Sequence, residues 1–399
     1  MGLKSWYSEI LERARQGLEK PSPYGSDVDV VPYLEYTARK EPKLDEERAR
    51  EVGVDFSARA VYMQVDQAYF KYLSKIPGIE VKSVEDFVEE NPDEAKEYLW
   101  KLVDPAQDKY TAVAALKGRG GFFIRVKENT RVEEPIMTCM FMSVGGLQAP
   151  HNVVVLEKNA QATIFTGCTI APESFGLHAA VSEFYVGEGA ELRYVMVHSW
   201  NRVTHVRPRT AVQVLRDGKY VSYYVNMSRV KTLQAYPVTM LGENAYGFSA
   251  SILLGLGDSE QDVGSAAILS GGGSRAELVS RIIGRDESKI VARAKITANS
   301  KERTKGHIEC RGLLLSEKAV IRTIPELESL SPEAELTHEA AIGKLSEDEV
   351  NYLVSRGFKR EEAVGILVRG FISIDVKGLP PRVKSHIETL ERVVAERAL

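Results

Sequence analysis

The sequence of 399 residues contains only three cysteines, Cys139, Cys168 and Cys310, and they lie far apart. Three scattered thiols cannot build a disulfide framework, which indicates a protein of a reducing compartment. No apolar run reaches the roughly 18 residues that a membrane-spanning helix needs. The first residues also lack the apolar stretch of a signal peptide. We therefore expect a cytoplasmic protein that does not contact a membrane.

The sequence also lacks an excess of positive charge, because its formal net charge is −4 and its pI is about 6.1. Proteins that bind nucleic acid or anionic membranes usually carry a basic face, so neither partner is expected. There is no phosphate-binding Gly-x-x-x-x-Gly-Lys-Ser/Thr loop, no Cys-x-x-Cys pair and no His-Glu-x-x-His motif. These absences exclude nucleotide hydrolysis through that loop, zinc ribbons and the common metalloproteases.

Three zones of different composition follow one another along the chain. Residues 1–105 carry helical signals, such as Ser83 followed by Asp86 at a helix start. Residues 106–330 consist of short apolar runs separated by small polar turns, which is typical of β-strands. Residues 331–399 again show helical spacing, with Ser346 and Glu349 forming a capping box. We expect a β-rich core with a helical region on each side.

The turns of the middle zone recur at a nearly constant distance. Asn159, Gly189, Gly218 and Asn244 each end an apolar run, at separations of 30, 29 and 26 residues. Stacked coils produce such a period, because each coil buries its apolar face against the next. Asn-Gly hairpin turns are absent at most junctions, so the pattern favours a β-solenoid over a β-sandwich.

A thiol, an imidazole and a carboxylate occur within a short stretch near the end of the middle zone. Cys310 is followed by His338 and Glu339, and such side chains together can bind iron or zinc. On a strand, His307 and Glu309 would share one face and Cys310 would lie on the other. The candidate ligand set is therefore Cys310, His338 and Glu339. A mononuclear metallohydrolase remains an alternative for this set, and a small buried thiol remains one for Cys310.

The two other cysteines lie in different surroundings. Cys168, in Thr166-Gly167-Cys168-Thr169-Ile170-Ala171-Pro172, is expected at a strand end or turn where a thiol is reachable, and a buried core thiol is the alternative. Cys139 lies in a strongly apolar run and is expected in the core.

Several motifs, in order over residues 110–373, make the sequence resemble the SufB/SufD family of iron–sulfur cluster assembly proteins. They are Thr166–Pro172 with Leu177-His178-Ala179-Ala180-Val181, Gln261-Asp262, Lys305–Cys310, His338-Glu339-Ala340 with Gly343-Lys344-Leu345, and Tyr352–Gly357. The resemblance implies a right-handed parallel β-helix flanked by helical regions. It also implies a C-terminal helical domain that docks SufC, an ABC-type ATPase.

The resemblance further implies roles for single residues. Cys168 matches the position that accepts sulfur from a cysteine desulfurase or sulfur carrier. Cys310 matches the cluster-site cysteine, Glu339 the nearby carboxylate ligand, and His338 the histidine that faces the site across the dimer. Trp200 resembles the tryptophan of the sulfur path.

Two positions depart from the family pattern along that path. His198 stands where SufB usually has Gln, and Phe141-Met142-Ser143 replaces the usual Arg-x-Asn. The function implied is that of a scaffold, not an enzyme, which holds a transient iron–sulfur cluster and works as a homodimer or as a heterodimer with a second SufB/SufD-like chain. A SufD-like structural partner that binds no cluster is the alternative, and a requirement for flavin is left open.

Overall fold

A computed structural model describes residues 5–38, 40–374 and 381–399. The predicted mainly β fold with a solenoid core is confirmed, since parallel strands coil through about eight turns and helices lie at both ends. The helices are α1 (Ser5–Arg15), α2 (Val31–Leu34), α3 (Glu46–Glu51), α4 (Val84–Glu90), α5 (Pro92–Tyr98), α6 (Lys109–Lys117), α7 (Glu347–Ser355), α8 (Arg360–Ile372) and α9 (Pro381–Ala398).

The strands form two sheets that face each other. Sheet A contains, in spatial order, β2 (Tyr69–Ser74), β1 (Ala60–Val65), β5 (Ile136–Met142), β8 (Gln161–Ile170), β11 (Glu191–Ser199), β14 (Lys219–Asn226), β17 (Tyr246–Gly255), β19 (Arg275–Gly284), β21 (Thr304–Leu314) and β23 (Ala334–Lys344). Sheet B contains β3 (Ile79–Ser83), β4 (Phe122–Val126), β6 (Gly146–Gln148), β7 (His151–Leu156), β9 (Gly176–His178), β10 (Val181–Val186), β12 (Thr204–Val206), β13 (Arg209–Val214), β15 (Thr232–Ala235), β16 (Val238–Leu241), β18 (Glu260–Leu269), β20 (Lys289–Ala298) and β22 (Val320–Ser329).

The recurring turns hold the coils in register. Asn129, Asn159, Gly189, Asp217 and Asn244 all have positive φ, and the amide of each donates to a carbonyl of the next coil at 2.8–3.0 Å. Asn, Asp and Gly tolerate this left-handed conformation, which is why the turns were visible in the sequence. At the third predicted turn the left-handed residue is Asp217, one position before the expected glycine.

The inner faces of the two sheets enclose a space that we call the lumen, and their outer faces are covered by helices. Helices α4 and α6 pack on sheet B, where Phe87 and Tyr110 join the core of its outer face, whereas α3 packs on sheet A. Helices α8 and α9 pack on sheet A through Val368, Ile372 and Val394. Both helical regions are thus attached to the solenoid by apolar packing.

The two ends of the solenoid differ. The first coil is closed by β1 and β2, which pair antiparallel, and by β3, which pairs antiparallel with β4. At the other end β22 and β23 pair on one side only within the described residues, and most of their side chains are exposed. Such long, open strand edges are templates for pairing with another chain.

Both predicted helical zones contain strands that the sequence reading missed. The N-terminal zone includes β1, β2 and β3, and its helical signals are confirmed by α1 and by α4, which Ser83 caps. The helical pattern expected from about residue 331 begins only at Glu347, with Ser346 as its N-cap, because Ala334–Lys344 adds one more strand to sheet A.

Candidate functional site

Two of the three cysteines face the lumen. Cys168 on β8 is 1% exposed and Cys310 on β21 is fully buried, and both belong to the core between the two sheets. Cys139 on β5 is buried on the opposite face of sheet A, which confirms its prediction as a core residue. The predicted alternation on β21 is also confirmed, since Cys310 lies inward while His307 and Glu309 lie outward, one on each side of the inward Ile308.

Burial keeps these thiols protonated. It raises the pKa of Cys310 to about 11 and that of Cys139 to about 12, and it raises the pKa of Cys168 well above the usual value. The thiolate is the nucleophile and the metal ligand, so neither lumenal cysteine is preset for chemistry in this state. Deprotonation by a base or a change in access has to come first.

Cys168 lies beside an aromatic and imidazole cluster. His198 is its aligned neighbour on β11, and His198 Nδ1 is 2.9 Å from the Tyr224 hydroxyl. The Trp200 ring centroid lies 5.3 Å from that of His198 and 4.9 Å from that of His178. His198 Nε2 and Trp200 Nε1 are buried and have no hydrogen-bond partner within the described residues. A neutral imidazole with a free ring nitrogen next to a thiol can form a hydrogen bond with the sulfur.

Both histidines of this cluster are held neutral. Burial lowers the pKa of His178 to about 3, and burial together with the nearby His178 lowers the pKa of His198 well below its usual value. His178 Nδ1 lies 2.9 Å from the Gln148 side-chain oxygen. The cluster therefore adds polar groups to the lumen without adding charge.

A row of polar side chains connects the surroundings of Cys168 with Cys310. Tyr224, Ser251 and Ser280 occupy aligned inward positions on β14, β17 and β19, and the next aligned residue is Cys310. The Ser251 hydroxyl donates to that of Ser280 at 3.1 Å, and the neighbouring Ser280 hydroxyl partly offsets the effect of burial on the pKa of the Cys310 thiol. We call His198, Tyr224, Ser251 and Ser280 the polar row.

The polar row spans a considerable distance. Five strand-to-strand steps separate β8 from β21, which is about 24 Å at ~4.8 Å per step. The cysteines cannot touch, so any transfer between them has to pass through the lumen. The row was missed in the sequence, although Tyr224, Ser251, Ser280 and Cys310 follow one another at the solenoid period.

The structure places the two other predicted ligands on opposite faces of β23. His338 is aligned with Ile308 and therefore shares the inward face of Cys310, one strand away. Glu339 is aligned with Glu309 on the outward face, and both His338 and Glu339 are exposed. Glu309 itself contacts Arg281 at 3.1 Å and Arg311 at 2.6 Å.

One chain thus brings Cys310 and His338 to the same face but leaves Glu339 on the other. Within the described residues no three His, Cys, Asp or Glu side chains are placed to hold a metal ion. The strand alternation that separates Glu309 from Cys310 applies equally to Glu339. A site with all three predicted ligands is not complete in a single chain.

The chain matches a family model described as SUF system FeS cluster assembly, SufBD core domain, over residues 140–371. The chain belongs to the SufBD family. A relative from Archaeoglobus fulgidus, named as an iron-sulfur cluster assembly SufBD family protein, is 41% identical over 89% of this chain and 96% of its own length.

Two further relatives broaden the comparison. A protein of the same family name from Methanothermobacter thermautotrophicus is 39% identical over 96% of this chain and 97% of its own length. The iron-sulfur cluster assembly protein SufB of Bacillus subtilis is 28% identical over 85% of this chain and 72% of its own length. Among the described residues of this SufBD protein, no helix is long and apolar enough to cross a membrane.

Proposed function

We propose that this SufBD protein is the scaffold on which an iron–sulfur cluster is assembled, with Cys168 accepting sulfur and Cys310 binding the cluster. The observation that carries the proposal is that both cysteines face one lumen and are connected by the polar row. A persulfide from a cysteine desulfurase or sulfur carrier would supply Cys168. The neutral His198 beside it can hydrogen bond to the sulfur, and Trp200 lines the same part of the path.

The cluster site is completed by a second chain. Cys310 lies one strand from the open edge strand β23, and Glu339 cannot reach it within one chain because it lies on the opposite face. Pairing of solenoid ends, in a homodimer or with a second SufB/SufD-like chain, would cover β22 and β23. In that interface His338 and Glu339 give weaker and more exchangeable ligation than the thiolate, which permits release of the transient cluster.

A partner ATPase of the SufC type would dock on the C-terminal helices and drive the opening of the interface. Exposed apolar side chains lie on α7 and α8 and in the loop between them, and they are Tyr352, Val354, Phe358 and Ile366. The opposite face of α8 is buried on sheet A through Val368 and Ile372. A partner bound to this surface is mechanically connected to the solenoid, where a population shift can expose Cys310. We place the complex in the cytoplasm.

Cys310→Ser tests the proposal, with Cys139→Ser as the matched control. Iron-free protein is reconstituted anaerobically with ferrous iron and sulfide, and bound iron and acid-labile sulfide are measured. Loss of the thiolate ligand is expected to lower cluster affinity about tenfold or more, and Cys139→Ser is expected to bind as the wild type does, since Cys139 lies outside the lumen.

Equal cluster content in Cys310→Ser and wild type would refute the assignment of Cys310. A wild-type chain that retains no cluster after reconstitution would instead support the SufD-like role, in which the chain shapes the complex and another subunit binds the cluster. Cys168→Ser separates the sulfur-accepting step, because it should block assembly from a protein-bound persulfide while reconstitution with free sulfide continues.

A further inference from the structure

The lumen is hollow near the middle of the solenoid. Thr210, Tyr224, Ser249, Ser251 and Ser265 face inward yet remain partly accessible to solvent. They line a partly enclosed cavity of about 50 Å³. About 10–15 Å³ measured in this way is enough for one water molecule, so the cavity has room for a few small molecules.

On the side of sheet B, the cavity lies against a seam between short strands. Strands β12 and β13 are separated at Arg207–Pro208, and β15 and β16 are separated at Tyr236–Pro237. Pro208 and Pro237 line the cavity together with Gly264 of β18. Proline cannot donate to a strand ladder, so the sheet is interrupted there. Tyr236 closes the seam, and its ring packs on Tyr24 of the N-terminal segment at 5.1 Å between centroids.

Among the residues that the structure describes, the cavity wall carries hydroxyl groups and no charged side chain. Four tyrosines line it, at positions 194, 220, 224 and 236, and burial raises the pKa of each, so all remain protonated donors. The Tyr194 side chain is only 4% exposed, and its hydroxyl faces Thr166 but forms no hydrogen bond of ordinary length within the described residues. A buried donor of this kind at a cavity wall is available to a ligand or water.

The lining chemistry selects among small ligands. No carboxylate or imidazole of the described part of the chain lines the cavity, and these are the groups that hold ferrous iron, so a metal cation is disfavoured. Its apolar wall includes Met196, Ala235 and Val263, and a soft thioether beside hydroxyl donors suits a small, polarisable acceptor. A diatomic sulfur species is small enough to enter a cavity of this size.

We propose that this cavity is a non-covalent binding site for hydrosulfide, and that the seam in sheet B is its lateral entrance to the lumen. The inference rests on the proposed function, because it supplies inorganic sulfur to the same scaffold. Tyr224 and Ser251 line the cavity and belong to the polar row, so hydrosulfide bound there lies between Cys168 and Cys310. The binding step itself breaks no covalent bond and needs no oxidant.

Titration of the iron-free, full-length protein with sodium hydrosulfide under anaerobic conditions tests the site. With ¹³C-labelled tyrosine rings, the cavity tyrosines are expected to shift in a saturable manner. Tyr194→Phe removes one donor and should weaken binding about threefold to tenfold. Tyr246→Phe is the control, because Tyr246 lies on β17 outside the cavity and bonds to Glu277.

Ser265→Leu fills the cavity from sheet B and should abolish the saturable shift, while its thermal unfolding midpoint shows whether the chain is folded. If it does not fold, Tyr194→Phe alone decides. Unchanged binding in Tyr194→Phe, or no saturable shift in the wild type, would overturn the inference. If that happens but cluster binding is still lost in Cys310→Ser, the proposed function is unaffected. Saturable hydrosulfide binding combined with a cluster independent of Cys310 would refute the proposed function instead.

Discussion

The two neutral imidazoles in the lumen make a quantitative prediction about acid stability. His178 and His198 are buried, and their pKa values in the folded protein lie far below the ordinary value of about 6.5. Between the ordinary pKa and the lowered one, the unfolded chain binds protons that the folded chain does not. The stability from neutral burial is therefore fully present above about pH 6.5 and is lost as the pH falls.

The expected magnitude follows from proton counting. One proton per histidine changes the free energy of unfolding by about 1.36 kcal/mol per pH unit, so the pair contributes about 2.7 kcal/mol per unit well below pH 6.5. Between pH 7.5 and pH 5 the two histidines should together lower the free energy of unfolding by about 4 kcal/mol. That is a large part of the ~5–15 kcal/mol that stabilises a typical domain.

Urea unfolding followed by circular dichroism at a series of pH values measures this effect. Glutamine replaces the imidazole with a group that hydrogen bonds but does not titrate. The double variant His178→Gln/His198→Gln should therefore lose the histidine contribution to the decrease of the free energy of unfolding with falling pH. The outward-facing His307→Gln is the matched control. Parallel pH profiles for the wild type and the double variant would show that the two imidazoles are not held neutral in the folded protein.

Two further substitutions test how the chain is held together, each by urea unfolding at neutral pH. Glu183 is fully buried, accepts hydrogen bonds from three backbone amides and lies 2.7 Å from His151. Glu183→Ala should therefore lower the free energy of unfolding by about 3 kcal/mol. The control Glu188→Ala removes an exposed carboxylate and should lower it by less than ~1 kcal/mol. Gly121 has φ +108°, and a Cβ there would lie 1.9 Å from the His151 carbonyl oxygen. Gly121→Ala should therefore lower the free energy of unfolding by about 2 kcal/mol or more. The control Gly343→Ala places its Cβ in open space and should be tolerated. Equal losses in either matched pair would contradict the contact named for it.

The solenoid was predictable because its turns require unusual residues. A left-handed turn in every coil favours Asn, Asp or Gly. Because the coils are stacked, these residues recur at a nearly fixed interval along the sequence. Strand β23 was not predictable by the same means. Nearly all its side chains are exposed, so Ala334–Lys344 lacks the apolar alternation that identifies a half-buried strand. Strands that are open to a partner carry the weakest signal in the sequence of one chain.

The inward direction of Cys310 was also predictable, since it needs only the two-residue period of a strand. The polar row was not, because it depends on the pairing register of six strands. Ser251 and Ser280 are unremarkable serines until Cys310 is aligned with them across sheet A. Each register is set by the length of a whole coil, and a loose period of 26 to 30 residues does not specify which residues meet.

The same register decides how Glu339 can act. A shift of β23 by one residue would turn Glu339 toward the lumen, but it would also turn Ala334 and Leu336 outward, and both now pack against the lumenal core. Burial of apolar side chains therefore opposes the shift. If Glu339 binds the same cluster as Cys310, it has to be supplied by a second chain, and β23 offers the edge on which that chain can pair.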